Sequence, residues 1–205
     1  MKNKPDLLVA MIVILTLTPV AVAFAADPAG LGPSDAFQLR HVANLNVGDS
    51  VVNITNAGSA VTTGNAVTNI CTNVYVFSPD EQLVACCSCV VTPNALVSLS
   101  ARNDLIANTL TPAVPNSITV KLLASAGTSC NAANVPAANL APGMRAWATT
   151  LHASPVAGTY AVTETQFSPA VLSAPELARI TSECAFIQVV GSGYGICRSC
   201  RLGGQ

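Results

Sequence analysis

Apolar and polar residues alternate with a period of two along much of the chain. "FQLRHVANLNV" (37–47) puts Phe37, Leu39 and His41 on one face and Gln38, Arg40 and Val42 on the other. "DSVVNIT" (49–55) follows a Gly48-Asp49 turn. "ICTNVYVF" (70–77) and "QLVACCSCVV" (82–91) flank Ser78-Pro79-Asp80-Glu81, whose proline and aspartate suit a type I turn, so the pair is predicted to be a β-hairpin. Further strands are predicted at 95–101, 117–124, 144–153 and 158–167. Short strands separated by Pro, Gly and Asn turns predict a mainly β fold. That fold is a single β-sandwich-like domain, or a partly closed barrel, carrying one C-terminal α-helix and stapled by disulfides.

The period changes to 3.6 once. "SAPELARITSECAFIQVVG" opens with Ser173 and has Glu176 three residues on, the S-x-x-E capping pattern, with Pro175 in the first turn. Leu177, Ile180, Cys184 and Ile187 recur at i, i+3, i+7 and i+10, which predicts a helix over about 174–190, stopped by Gly191. Cys184 then faces the core, aimed at the sheet or at the returning tail. Two segments lack periodicity. Residues 125–143 form an Ala/Asn/Pro loop holding Cys130, long enough to need a tether. The tail, 191–205, is glycine-rich and carries Cys197 and Cys200.

The N-terminus changes the chemical context of everything after it. Lys2 and Lys4 precede an apolar run from Leu7 to Val22, and Ala23-Phe24-Ala25 supplies a small-x-small cleavage pattern. Residues 1–25 therefore read as a signal peptide, because the run is shorter than the roughly 20 residues of a spanning helix and contains Pro19. Residues 26–36 read as a flexible leader and 37–205 as one β-rich domain. The expected location is extracellular or periplasmic, with no membrane attachment once the signal is removed. In an oxidising compartment, the eight cysteines read as disulfide candidates: Cys71, Cys86, Cys87, Cys89, Cys130, Cys184, Cys197 and Cys200. In the cytosol, C-C-x-C with C-R-S-C would instead suggest a zinc site. Strand parity sends Cys87 and Cys89 to one face and Cys86 to the other, which fits separate staples better than one metal centre. Cys71 begins the partner strand and is expected to bridge one of these three; Cys130 is expected to tether its loop to the body.

Composition then narrows the function. Charged residues make up 9% of the chain, against about 25% in an ordinary soluble domain. Without residues 1–25 there remain seven basic and nine acidic residues, net −2. No basic cluster is present to neutralise phosphates, so nucleic acid is not an expected partner. Such a sparsely charged surface suits a protein that packs against copies of itself or another exported protein. His41 and His152 have no second histidine at ligand spacing, and no G-x-S-x-G elbow is present. "GSGYG" follows a helix instead of opening one, so it is a poor phosphate loop. Among the acidic residues Asp80, Glu81 and Glu176 have turn or cap roles, and of the others, Asp49, Asp104, Glu164 and Glu183, Glu164 in the Thr-rich strand "TETQF" is the one to watch as a catalytic carboxylate. C-R-S-C lies at the end of a tail and lacks the helix N-terminus that activates a redox thiol. No catalytic residue, metal or cofactor is therefore assigned. Trp147, the sole tryptophan, and Tyr160 are the candidate ligand-stacking residues, and Asn53-Ile54-Thr55 fits a glycosylation sequon.

The segments "SPDEQLVACCSCVVTP", "LSARNDL", "MRAWATTLH", "LSAPELARITSECAFI" and "GSGYGICRSC" together resemble a group of exported, cysteine-containing bacterial proteins of uncharacterised function. The resemblance spans most of residues 37–200. It implies export and a shared cysteine framework and carries over no catalytic residue. The leading expectation is an exported structural or interaction protein, self-associating at the cell surface. One route would be a strand near 37–47 adding to a neighbouring copy, against pairing within its own sheet. A secreted ligand- or glycan-binding module is the alternative, followed by an extracellular thiol oxidoreductase or hydrolase.

Overall fold

In a computed structural model, residues 30–60 and 68–198 are described. Among the described residues nine strands and one α-helix follow in chain order: β1 (Phe37–Val42), β2 (Val51–Asn56), β3 (Ile70–Phe77), β4 (Leu83–Val91), β5 (Leu96–Ser100), β6 (Ile118–Ala126), β7 (Met144–Ala153), β8 (Tyr160–Gln166), β9 (Ser168–Pro169) and α1 (Ala174–Val190). They form two antiparallel sheets. Sheet A has the order β4-β3-β6-β1-β9 and sheet B the order β5-β2-β7-β8. The expected β-sandwich with one C-terminal helix is what the chain builds. β1 ends at Val42, sooner than the alternation suggested, and Asn44 takes a positive φ of 60° just beyond it. β1 pairs with β6 and β9, so residues 37–42 of that segment pair within their own sheet, and residues 43–47 form no strand.

The β3–β4 hairpin follows its sequence signals closely. Glu81 N–H donates to the Ser78 carbonyl at 3.0 Å, closing the four-residue turn, and Glu81 adopts a left-handed φ of 67° to re-enter β4. Every residue of β3 is buried, because one face meets the sandwich interior and the other meets α1 and the 130–140 loop. The interior holds Val74, Val76, Val91, Ile54, Leu99, Leu122 and Met144. The outer layer over sheet A holds Phe37, Tyr75, Phe77, Leu123 and the helix stripe Leu177, Ile180, Cys184 and Ile187. Each fully buried aliphatic side chain contributes about 1.5–3 kcal/mol of transfer free energy. Two thin layers of this kind make up for the low aromatic content.

Both helix ends behave as their residues predict. Ser173 Oγ accepts from the Glu176 amide at 3.2 Å, and Gly191 closes α1 with φ 64°. The Glu176 carboxylate makes its bonds elsewhere: it accepts from Lys121 Nζ at 2.5 Å and from Arg179 Nη2 at 2.9 Å. Both cations also lie over the Phe77 ring, Lys121 at 4.8 Å and Arg179 at 5.0 Å. This cluster ties α1 to the sheet.

Three disulfides fix the layers to one another: Cys71–Cys130, Cys86–Cys184 and Cys87–Cys197. The parity argument holds, since Cys86 reaches the helix on the outer face while Cys87 and Cys89 lie in the interior cluster. Cys89 is disulfide-bonded as well; Cys200 lies outside the described residues, as do the signal segment and its cut after Ala25. The expected bridge from Cys71 to one of Cys86, Cys87 or Cys89 is corrected by the structure, and the register explains why. Cys71 stands opposite Val90, while Cys86 on the same face stands opposite Tyr75, four residues along and so about 13 Å away. Cys87 and Cys89 are opposite Val74 and Thr72, on the other face. Cys71 instead bonds Cys130, in the loop that crosses its own face.

That tether orders the long loop, as expected. The Tyr75 hydroxyl donates to the Ala132 carbonyl at 2.8 Å, and Asn131 Oδ1 accepts from Ala133 N–H at 3.0 Å and Gln188 Nε2 at 3.1 Å. The segment read as a leader is also tied down over 30–36. Leu31 N–H donates to the Leu172 carbonyl at 2.8 Å, and Asp35 accepts from Gly143 N–H at 3.0 Å and Arg145 Nη1 at 2.6 Å. Gly143 has a φ of +98°, and a Cβ there would stand 3.0 Å from the Ser59 amide nitrogen, so a side chain at 143 would strain the backbone and crowd this junction.

Two of these contacts set an acid limit. Burial pushes both carboxyls upward, but hydrogen bonds and charge from Arg145 and the Gly143 amide bring Asp35 below its ordinary value, and Arg179 and Lys121 do the same for Glu176. A carboxyl depressed in the folded state stabilises the fold above its unfolded pKa of roughly 4, and that stability is lost as pH falls through the folded value. Thermal unfolding midpoints are expected to be flat above about pH 5 and to fall toward about pH 3. Glu176→Gln is expected to lower the neutral-pH midpoint slightly and to flatten the acid limb; an unchanged slope would refute the assignment.

Candidate interaction surface

The two sides of the sandwich differ. The outer face of sheet A lies under α1, the 130–140 loop and the tail. The free edge of β4 is covered too: Cys86 N–H donates to the Gly195 carbonyl at 2.8 Å, and Leu110 N–H to the Val84 carbonyl at 2.9 Å. β9 caps β1 at the opposite edge. Sheet B has no such cover among the described residues. Its outer face carries Trp147, Thr149 and Leu151 on β7, and Gln166, Glu164, Val162 and Tyr160 on β8, paired in a continuous register.

β8 itself is unusual for a strand of this length. All seven residues, Tyr160 to Gln166, are exposed, with Tyr160 at 52% and Val162 at 59%. The reason is topological. Sheet A ends at the two-residue β9, so it does not extend over β8, and the chain leaves β8 at buried Phe167 to cross between the sheets. β8 overhangs the sandwich and is held to it by β7. Phe167 N–H donates to the Ala146 carbonyl at 2.9 Å, so odd-numbered residues of β8 turn their amides toward β7. The N–H and C=O groups of Tyr160, Val162, Glu164 and Gln166 therefore point outward, and no described backbone group pairs with them.

The two residues singled out for ligand stacking sit on this face but apart. Trp147 is half-buried beside Gln166 and shares a shallow depression with Glu164, Thr165 and Gln166. Tyr160 lies at the far end of β8, opposite Ala153. Asn53, of the sequon, is the β2 neighbour of Trp147 and accepts from Ser98 Oγ at 2.6 Å. Arg145 lies on the same face and is paired to Asp35.

The chemistry-bearing residues are dispersed. His152 Nε2 lies 2.9 Å from Thr163 Oγ1, and His41 is exposed on β1. Asp49 and Asp104 converge on one turn, but backbone and hydroxyl donors engage them. Asp49 accepts from Arg102 N–H at 2.9 Å and Ser100 Oγ at 2.5 Å, and Asp104 accepts from Ser100 N–H at 2.7 Å. These bonds form the mouth of a single π-type turn (Ala101–Leu105) that the sequence did not announce. Cys197 bonds Cys87 across 110 residues, not its C-x-x-C neighbour. Among the described residues, no group of three or more His, Cys, Asp and Glu side chains is placed to hold a metal.

Fold and surface together define a disulfide-stapled β-sandwich sealed on one side by a helix and open on the other. Its disulfides fit an extracellular or periplasmic protein. No described helix is long and apolar enough to cross a membrane. No family model matches the chain, and no curated protein matches it. A solved structure of a Thermotoga maritima protein, Thermotoga maritima 1070, is similar at 11% identity with a TM-score of 0.40, covering 68% of this chain and 97% of that one. A likeness that distant carries no argument about activity.

Proposed function

We propose that the chain is an exported, non-catalytic interaction protein, released by cleavage after Ala25 and stabilised by its disulfides, with sheet B as its working surface. The observation that carries the reading is the asymmetry of the sandwich. One face and its edge are covered and cross-linked, while the other ends in a seven-residue strand exposed on both sides. An open, unguarded strand edge is a liability in a secreted protein unless something pairs with it.

Four aromatic residues act as natural reporters of the working side. Trp147 and Tyr160 lie on sheet B, whereas exposed Phe186 and Tyr194 lie on the helix and tail. Phe186 also belongs to a small apolar patch with Val189 and Val190, so the helix side is the competing surface. Hydroxyl-radical footprinting on producing cells is expected to show Trp147 and Tyr160 protected relative to dilute purified protein, with Phe186 and Tyr194 still reactive. The reverse pattern would place the contact on the helix and defeat the proposal.

A second reading rests on Trp147 with Glu164, Thr165 and Gln166, a stacking ring beside hydrogen-bonding groups that suits a sugar. As the sole tryptophan, Trp147 reports directly on such a ligand, and an oligosaccharide that shifts its fluorescence saturably would favour this reading.

A further inference from the structure

Given sheet B as the working surface, we infer that its partner is a second copy of this chain, joined edge to edge through β8 so that two four-stranded sheets become one. The inference rests on that reading and adds the identity and geometry of the occupant.

The outward amides of Tyr160, Val162, Glu164 and Gln166 fix which registers are allowed. An added antiparallel β8 must present its own even-numbered residues to them. The register that overlaps all seven residues has its two-fold axis at Thr163. It places Tyr160 opposite Gln166 of the second copy, Val162 opposite Glu164, Ala161 opposite Thr165 and Thr163 opposite itself. No like charges stand directly opposite, since the only charged residue of the strand faces a valine. Shifting the axis to Glu164 would oppose two carboxylates and shorten the ladder. Such self-pairing gives a closed, isologous contact, which ends at a dimer instead of growing into a fibre.

Several observations favour a second copy over an unrelated strand. The strand carries no lysine, no proline and no bulge in its register, and its one charge, Glu164, faces Val162 in the full-overlap register. The mature chain is nearly neutral, net −2, so two copies repel weakly. The other edges offer less. β4 is covered by the tail, β1 is capped by β9, and β5 has five residues with Leu99 packed into the core. Thr163 and Thr165, on the underside of the overhang, are exposed, and Thr163 Oγ1 lies against His152 of β7.

The contact is small, so a dissociation constant on the order of 10–100 μM is expected for the mature, disulfide-intact protein by sedimentation equilibrium. Val162→Pro removes an outward N–H while leaving the ladder to β7 intact, and is expected to weaken dimerisation by at least about tenfold. Thr163→Cys places two thiols at the axis in a non-hydrogen-bonded pair about 4.5–5.5 Å apart, within disulfide reach, so oxidation is expected to yield covalent dimers. Thr165→Cys, which faces Ala161 of the second copy, is expected to give far fewer. A monomer at every concentration would overturn the inference. So would a dimer indifferent to Val162→Pro, or cross-linking that is equal at 163 and 165. In any of these cases, protection of Trp147 and Tyr160 on cells would still support the broader reading with a different partner; loss of that protection would defeat the broader reading itself.

Discussion

Replacing Cys86, Cys87, Cys89, Cys184 and Cys197 together by alanine is expected to unfold the protein at 37 °C, whereas removing the Cys86–Cys184 or the Cys87–Cys197 bridge alone is expected to leave it folded. The difference follows from how the bridges nest. Cys86 and Cys87 are adjacent on β4, and their partners are only about 13 residues apart. With one bridge gone, the other still closes nearly the same long loop. Removing either one frees a loop of roughly 15 residues, worth about 3 kcal/mol in the chain-entropy account, whereas removing both together with the bond of Cys89 frees one of roughly 100, worth nearly 5 more. Together these exceed much of the 5–15 kcal/mol that holds a typical domain folded. Urea unfolding of the two double variants and the five-cysteine variant checks this. A five-cysteine variant that loses no more than the two double variants summed would show that the nesting does not govern stability.

Tyr75→Ala is expected to destabilise by about 3–5 kcal/mol and Tyr75→Phe by about 1–2. Tyr75 is fully buried at the centre of the outer layer, where its ring packs under the helix stripe and its hydroxyl donates to the Ala132 carbonyl. Burial also pushes the phenol above its ordinary pKa, so it stays a donor throughout the working range. Alanine opens a cavity between sheet A and α1, while phenylalanine leaves the Ala132 carbonyl unpaired. Thermal or urea unfolding of the two variants separates these terms. If Tyr75→Phe were neutral, the loop would be held by the Cys71–Cys130 bridge without help from this hydrogen bond.

The strands, the hairpin and the helix were legible because each has a strong local signal. Leu177, Ile180, Cys184 and Ile187 are the residues α1 buries, and Ser173 and Gly191 are its ends. The β3–β4 hairpin forms over the residues its alternation and turn chemistry marked. Cysteine pairing was legible only where parity applies: Cys86 separates from Cys87 and Cys89, but which loop approaches Cys71 depends on the crossing of a distant segment. Local pattern cannot supply that. The overhang of β8 was hidden for the same reason. "YAVTETQ" alternates like any half-buried strand, and its exposure on both faces arises because sheet A stops at β9. Its weak apolar content, with only Tyr160, Ala161 and Val162, is the one hint the sequence offers. The π-type turn at Ala101–Leu105 was missed because "ARNDL" follows a strand with no proline or glycine to mark the change; its capping serine, Ser100, falls inside the strand predicted over 95–101.

The account stands on sulfur atoms acting as cross-links in a chain oxidised outside the cytosol. Non-reducing peptide mapping of the protein recovered from producing cells tests this most directly. It is expected to return an N-terminus at Ala26, the pairs Cys71–Cys130, Cys86–Cys184 and Cys87–Cys197, Cys89 in a further bridge, and no free thiol. A chain that retains residues 1–25 with its cysteines reduced, or one in which Cys71 is joined to Cys86, Cys87 or Cys89, would contradict it.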